Sequence, residues 1–178
     1  MKELRTRAHR ANLTKLLFAL IKNSKRSDRE LARALQLSQP TVTRLRKILE
    51  KEAIEQYTVI PNLSYLGFDL ISFTFSTTKE LVNPLEDKGR KWTAEQPSVM
   101  FASTGQGMDA DAVMVTVHKD YADFAKFYQN FRKDWGGSLQ NFRTFLVSVK
   151  GSVQLKALSP NCLVESYAKE EALAKHSR

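Results

Sequence analysis

Within the stretch SQPTVTRLRK, residues 38–47, the side chains of Ser38, Gln39, Thr41, Thr43, Arg44 and Lys47 have the types and spacing to hydrogen-bond a nucleic-acid duplex. Arginine and lysine donate to guanine or phosphate, glutamine can bond adenine in two places, and threonine offers a hydroxyl or touches a thymine methyl. Lys25 and Arg26 and the basic N-terminal arm MKELRTRAHR add cations suited to phosphate. Ser38 and Gln39 would open a helix, whose free backbone N–H groups also suit phosphate. Ser38 has a second job open to it, because a serine ahead of Gln39-Pro40 is a natural N-cap and proline is tolerated in the first turn. Arg33, Arg46 and Lys51 read equally as phosphate contacts or as a solvated face.

Such a face needs two crossed helices behind it. Ser27-Asp28-Arg29-Glu30 is a capping box, a start signal in which serine bonds the backbone at glutamate and glutamate returns to the serine amide. Leu31, Ala32 and Leu35 then form a buried stripe, Gln36-Leu37-Ser38 interrupts it, and Val42, Leu45 and Leu49 resume helical spacing. These are the apolar positions of a helix-turn-helix, with alanine at Ala32 because the second helix crosses close to the first. Upstream, Leu13, Leu16, Leu17, Leu20 and Ile21 make one stripe of a further helix, for which Asn12 is a plausible N-cap.

The formal net charge of +9 is concentrated in this region: residues 1–58 hold 14 lysines and arginines against 6 acidic residues, whereas residues 59–178 hold 14 against 13. An excess confined to one small region is the footprint of a phosphate-binding face. A chain of 178 residues that is 42% hydrophobic and 26% charged has room for two small globular domains. Its longest apolar run, LLFALI at 16–21, is too short to span a bilayer, and no apolar stretch follows the basic start as in a signal peptide, so a cytoplasmic location without membrane attachment is expected. One cysteine, Cys162, allows no disulfide within one chain. His9, His118 and His176 have no metal-ligand spacing, so neither a metal nor another cofactor is expected.

After Ile54 the period changes to two. Ile71, Phe73 and Phe75 alternate with Ser72, Thr74 and Ser76, which predicts a strand with one apolar and one polar face. Asn83-Pro84-Leu85-Glu86 reads as a helix start, with Leu85 and Trp92 on its apolar face. Val99 with Phe101, and Val113 with Val115 and Val117, predict two more strands joined by a Gly-rich loop. Asp120 caps a helix whose Tyr121, Phe124, Phe127, Tyr128, Phe131 and Trp135 form an aromatic core stripe ended by Gly136-Gly137, and Phe145, Val147 and Val149 mark a last strand. The order β-α-β-β-α-β predicts an α+β chain: an N-terminal helix-turn-helix, winged-helix-like domain over residues 1–58, a linker over 59–67, a ferredoxin-like domain over 68–150, and an extension over 151–178. With both helices on one face of the sheet, the other face invites a partner sheet.

The stretch ELARALQLSQPTVTRLRKILEKEAI, followed by Leu66-Gly67 and the βαββαβ pattern, resembles the Lrp/AsnC family of leucine-responsive, feast-or-famine transcriptional regulators over about residues 12–150. The resemblance implies a sheet-mediated dimer or larger even oligomer, double-stranded DNA as partner, and an effector site, often for an amino acid. Gln36 and Ala53 stand where the family usually has glycine; a non-glycine residue at positive φ costs on the order of 1 kcal/mol. STGQGMDADAVMVTV, residues 103–117, resembles the family's effector loop, which makes Gly105, Gly107, Asp109 and Asp111 the candidate effector residues. The same residues also suit a plain hairpin connection, glycine allowing positive φ and aspartate capping its own backbone.

A sequence-specific, dimer-based DNA-binding transcriptional regulator is therefore the expected function, not an enzyme. Arg44 and Gln39 are the expected base readers, with Thr43 and Lys47 in support. Two other readings share parts of the pattern: a non-specific architectural DNA-binding protein, and a sirohaem decarboxylase, an enzyme of the same two-domain architecture. The second lacks its His- and Trp-containing motif here, since His118 is predicted at a strand end and Trp92 on a helix.

Overall fold

Leucines at helical spacing build the first unit. In the computed structural model, which describes the backbone of residues 2–79, 84–156 and 159–176 and the side chains of 8–79, 86–156 and 159–168, α1 (Lys2–Lys22), α2 (Asp28–Leu35) and α3 (Gln39–Glu52) pack around Leu16, Leu20, Leu31, Ala32, Val42, Leu45 and Leu49. Leu13, Leu17, Leu35 and Leu37 close the edges of that core. Helix α1 begins at Lys2, so Asn12 lies inside it and is not its cap, and the expected basic arm is helical. The apolar stripe begins only at Leu13, but upstream lysine, arginine, glutamate and alanine are good helix formers that extend the helix without needing burial. Asn83, read as the cap of a later helix, lies outside the described residues.

The capping box forms as predicted: Ser27 N donates to Glu30 Oε2 at 2.7 Å and Glu30 N to Ser27 Oγ at 3.3 Å. Gln36 ends α2 in the left-handed region at φ 55°, so the strain expected there is present. Ala53 instead sits at φ −139°, its amide bonded to Leu49 O, and carries no such strain.

Chain segments Met1–Ile60 and Lys156–Arg178 form this unit together, and Pro61–Leu155 form the other. The C-terminal helix α6 (Asn161–His176) belongs with the helix-turn-helix: Val164 is buried, and Tyr167 meets Phe18 of α1 edge-on at 5.1 Å between centroids. Residues 61–67, read as linker, are wound into turns of the second unit, where the Phe68 amide donates to Leu63 O at 3.0 Å.

In the second unit, β1 (Leu70–Thr78), β2 (Val99–Gly107), β3 (Ala110–His118) and β4 (Leu139–Ser148) form one antiparallel sheet in the order β2-β3-β1-β4, with α4 (Pro84–Ala94) and α5 (Tyr121–Trp135) as its helices. Asp120 caps α5 by accepting from Asp123 N at 2.8 Å. Phe124, Phe131 and Trp135 are buried, while Tyr121, at the start of the stripe, is exposed. At the other end of α5 a Cβ on Gly136 would lie 2.6 Å from Arg132 O, which restricts that position to glycine.

The alternation of β1 is as predicted, but the polar side is the buried one. Ser72, Thr74 and Ser76 are at most 3% exposed, and register places them beside Thr116, Met114 and Ala112 of β3. Ile71, Phe73 and Phe75 are only half-buried, in register with Val117, Val115 and Val113 and, on β4, with Val147, Phe145 and Arg143. Phe101 and Phe145 on that apolar side are 55% and 66% exposed. On the buried side two hydroxyl pairs form across the strands: Ser72 Oγ lies 2.6 Å from Thr116 Oγ1, and Thr74 Oγ1 3.0 Å from Thr144 Oγ1.

His118 ends the first of these chains, its Nε2 2.7 Å from Thr116 Oγ1, with no exposed surface. Burial lowers its pKa below the ordinary 6.5; the Asp123 carboxylate, 3.6 Å from Nδ1 and beyond hydrogen-bond length, pulls the other way without overcoming it. Below 6.5 the unfolded chain therefore binds a proton that the native one refuses, and stability falls as pH drops through that window. The melting temperature of the second unit is expected to fall between about pH 7.5 and pH 5.5, and His118→Gln to flatten that dependence; an unchanged slope in the variant would show that the loss arises elsewhere.

Candidate nucleic-acid interface

The presentation of α3 is set by what it buries. Val42, Leu45 and Leu49 are turned into the core, which leaves Gln39, Arg44 and Lys47 exposed. Gln39, Pro40, Thr43, Arg44 and Lys47 line one shallow concavity, so residues separated in sequence share a continuous face. Lys25 and Arg26 are exposed in the turn before α2.

Three of the expected contacts have structural partners. Ser38 caps α3: its Oγ accepts from Thr41 N at 3.3 Å and lies 2.7 Å from Thr41 Oγ1, which occupies both hydroxyls at the helix start. Thr43, expected to face outward, is half-buried and donates to Asp28 Oδ2 at 2.6 Å. The geometry is dictated by the crossing, because Thr43 follows Val42 on the edge of α3 nearest the first turn of α2. Thr43 thereby positions the helix and has its hydroxyl proton committed within the protein.

Arg46, read as solvated or phosphate-binding, is the centre of a clamp that sequence spacing did not reveal. Its Nε donates to the other oxygen of Asp28 at 2.6 Å, and Nη2 to Arg26 O at 3.0 Å. On its far side Nη1 reaches Tyr57 Oη, which donates to Glu50 Oε1 at 3.0 Å. One guanidinium thus ties α3 to the start of α2, to the turn carrying Lys25 and Arg26, and to the chain leaving the unit. Thr43 and Arg46 lie 15 and 18 residues from Asp28 in sequence, a separation at which no local periodicity signals contact.

The candidate effector loop is a two-residue hairpin. Gly107 pairs with Ala110, and Met108 and Asp109 have φ of 53° and 52°, the left-handed pair such a turn requires. Gly105 and Gly107 lie on β2. Asp111 accepts from Thr78 N at 2.8 and 3.0 Å and from Thr78 Oγ1 at 3.0 Å, pinning β3 to the end of β1. Asp109 is exposed at the tip, its carbonyl accepting from Thr77 Oγ1 and Arg143. The two aspartates are therefore not side by side in function: one is committed to the sheet, and the other faces solvent.

The Thr43 hydroxyl, and after it Arg46, holds the Asp28 carboxyl below its ordinary value of 3.8. A depressed carboxylate stabilises the native state fully above 3.8, and that contribution is lost as pH falls through the native value. Asp28→Asn is expected to cost about 2 kcal/mol at neutral pH, the scale of hydrogen bonds to a charged group, and to remove this acid-side loss. Urea unfolding of both proteins across pH would read it; equal stability at neutral pH would mean that the clamp adds nothing.

Residues 10–52 match the family model described as winged helix-turn-helix DNA-binding. No curated protein sequence matches the chain. Among solved structures, the transcriptional regulator NMB0573 in complex with L-Met from Neisseria meningitidis is 17% identical, with a TM-score of 0.70 over 84% of this chain and 93% of that one. An AsnC family transcriptional regulator from Agrobacterium tumefaciens is 18% identical, with a TM-score of 0.70 over 85% and 97%. E. coli AsnC is 16% identical, with a TM-score of 0.65 over 84% and 97%. At these identities the likeness is one of fold, and it agrees with the resemblance carried by residues 12–150: the chain has the fold of AsnC-type transcriptional regulators, with a segment matching winged helix-turn-helix DNA-binding domains at its N-terminal end.

Proposed function

We propose that this chain is a sequence-specific DNA-binding transcriptional regulator of Lrp/AsnC type. The observation that carries the reading is the common exposed face of Gln39, Arg44 and Lys47 on α3, in the part of the chain that holds nearly all the net positive charge. Arg44 and Gln39 read base edges in the major groove. Lys47, Lys25 and Arg26 neutralise phosphates, and Ser38, Thr41 and Thr43 keep the helix start and its orientation. The protein is non-enzymatic in this reading; His118, which a tetrapyrrole chemistry would need at a surface, is wholly buried. It works in the cytoplasm, where its DNA is.

The working form is a dimer or larger even oligomer. Support comes from the apolar side of the sheet, where Phe73, Val115 and Phe145 stand in register across three strands and a second copy would present the same face. Two copies bring two recognition helices to successive major grooves about 34 Å apart. An amino-acid effector acts at the hairpin, whose exposed tip at Asp109, with Gly105 and Gly107 behind it, is the part left free by the pinning of Asp111.

Anisotropy titrations across a salt series, on DNA upstream of the protein's own coding region and on random DNA, test the central claim. Specific binding is expected to be at least about 10³-fold tighter at matched salt; equal, steeply salt-dependent binding to both would favour the architectural reading. Arg44→Ala is expected to cost about 1–3 kcal/mol on the target and relax specificity, whereas equal loss on random DNA would remove its base-reading role. Phe145→Glu places a charge on the apolar face without touching the buried side. It should yield monomers by sedimentation, and an unchanged assembly would place the interface elsewhere.

A further inference from the structure

Between α4 and the hydroxyl-bearing side of the sheet lies a cavity of about 410 Å³, within the range of small-molecule sites. Its apolar wall is formed by Trp92 of α4 and by Phe131 and Trp135 of α5, over Met114 of β3. Facing them, β1 contributes the hydroxyls of Thr74, Ser76 and Thr78. A space left only by imperfect packing would be lined with apolar groups; this one combines flat aromatic surface with groups that seek hydrogen bonds.

Thr78 Oγ1 gives its proton to Asp111, and Thr93 Oγ1, also lining the cavity, gives its own to Gly89 O at 2.8 Å, so neither donates to an occupant and an anionic group is left to the rim. The indole N–H of Trp135 is buried with no hydrogen-bond partner among the described residues. At the rim, Arg90 and Glu86 stand four residues apart on α4, both exposed. Arg90 makes no ion pair among the described residues.

We propose that this cavity binds a small aromatic monocarboxylate, with its ring among Trp92, Phe131 and Trp135 and its carboxylate on the Arg90 guanidinium. Arginine offers a planar fork of donors that matches a carboxylate. Glu86, four residues before it on α4, disfavours an occupant that carries further negative charge. The site lies beneath α4 and is distinct from the hairpin at residues 107–110, and it does not depend on the DNA-binding reading.

Trp92 and Trp135 are the two tryptophans of the chain, so intrinsic fluorescence reports directly on this cavity. The full-length protein, without DNA, is titrated with 3-phenylpropionate, and in parallel with the neutral 3-phenylpropanamide and the cationic 3-phenylpropylamine. A saturable change in tryptophan emission is expected for the acid, with affinity reduced at least tenfold in Arg90→Gln, whose exposed position spares the fold. Gly89→Leu should abolish the response: a Cβ there meets nothing closer than Trp135 Cη2 at 3.9 Å, the larger side chain enters the cavity, and replacing a helical glycine favours α4. Circular dichroism melts of both variants establish that they are folded. No saturable change at millimolar acid, equal binding of the amide or amine, or an undiminished response in either folded variant would overturn the proposal.

Discussion

The rotation of α3 about its own axis is the constraint on which its exposed polar face depends. Burial of Val42, Leu45 and Leu49 sets it coarsely, and the Asp28 carboxylate sets it finely by receiving Thr43 on one oxygen and Arg46 on the other. Apolar packing tolerates small rotations because it has no direction, whereas hydrogen bonds at 2.6 Å do not. Because Asp28 is also the first residue of α2, the same carboxylate sits at a helix N-terminus, where negative charge is favoured. The capping box, the clamp and the face presented by Gln39, Arg44 and Lys47 are thus parts of one arrangement.

The sheet solves a different problem. Its helices cover the side bearing Ser72, Thr74, Ser76 and Thr116, and leave Phe101, Phe145 and their valine neighbours outside. A chain working alone would gain more by the opposite orientation, since apolar burial is the larger stabilising term. Hydroxyl pairing makes the observed orientation tolerable, because Ser72 pairs with Thr116 and Thr74 with Thr144 across the strands. The uncovered apolar side and the hydroxyl-lined cavity are two consequences of that single inversion.

Much of this was legible in local patterns. The helix-turn-helix followed from leucine spacing and from Ser27-Asp28-Arg29-Glu30, and the βαββαβ order from a change of period near Ile54, because both signals act within a few residues. Asn12 misled for a related reason: burial marks where a helix touches the core, and helix-favouring solvent-facing residues can carry it further. Gln36 adopts the conformation for which glycine is usual, but Ala53 does not, since α3 ends with Leu49 O accepting from both the Ala53 and Ile54 amides without a left-handed residue at Ala53. Exposure of Arg44 and Lys47 was readable from their phase relative to Val42 and Leu45. The roles of Thr43, Arg46 and Asp111 were not.

The sequence by itself determined the elements, their order, the concentration of cations in the first third and the phase of α3, all properties of spacing along the chain. Only the tertiary structure decided which face of the sheet is covered, that α6 returns to pack on α1, and which polar residues are committed inside the protein. The physical reason is the same in each case. Alternation along a strand shows that its two faces differ, but the helices choose between them through contacts some tens of residues away; likewise a threonine, arginine or aspartate is free for a ligand only if no distant partner has already taken its hydrogen bonds.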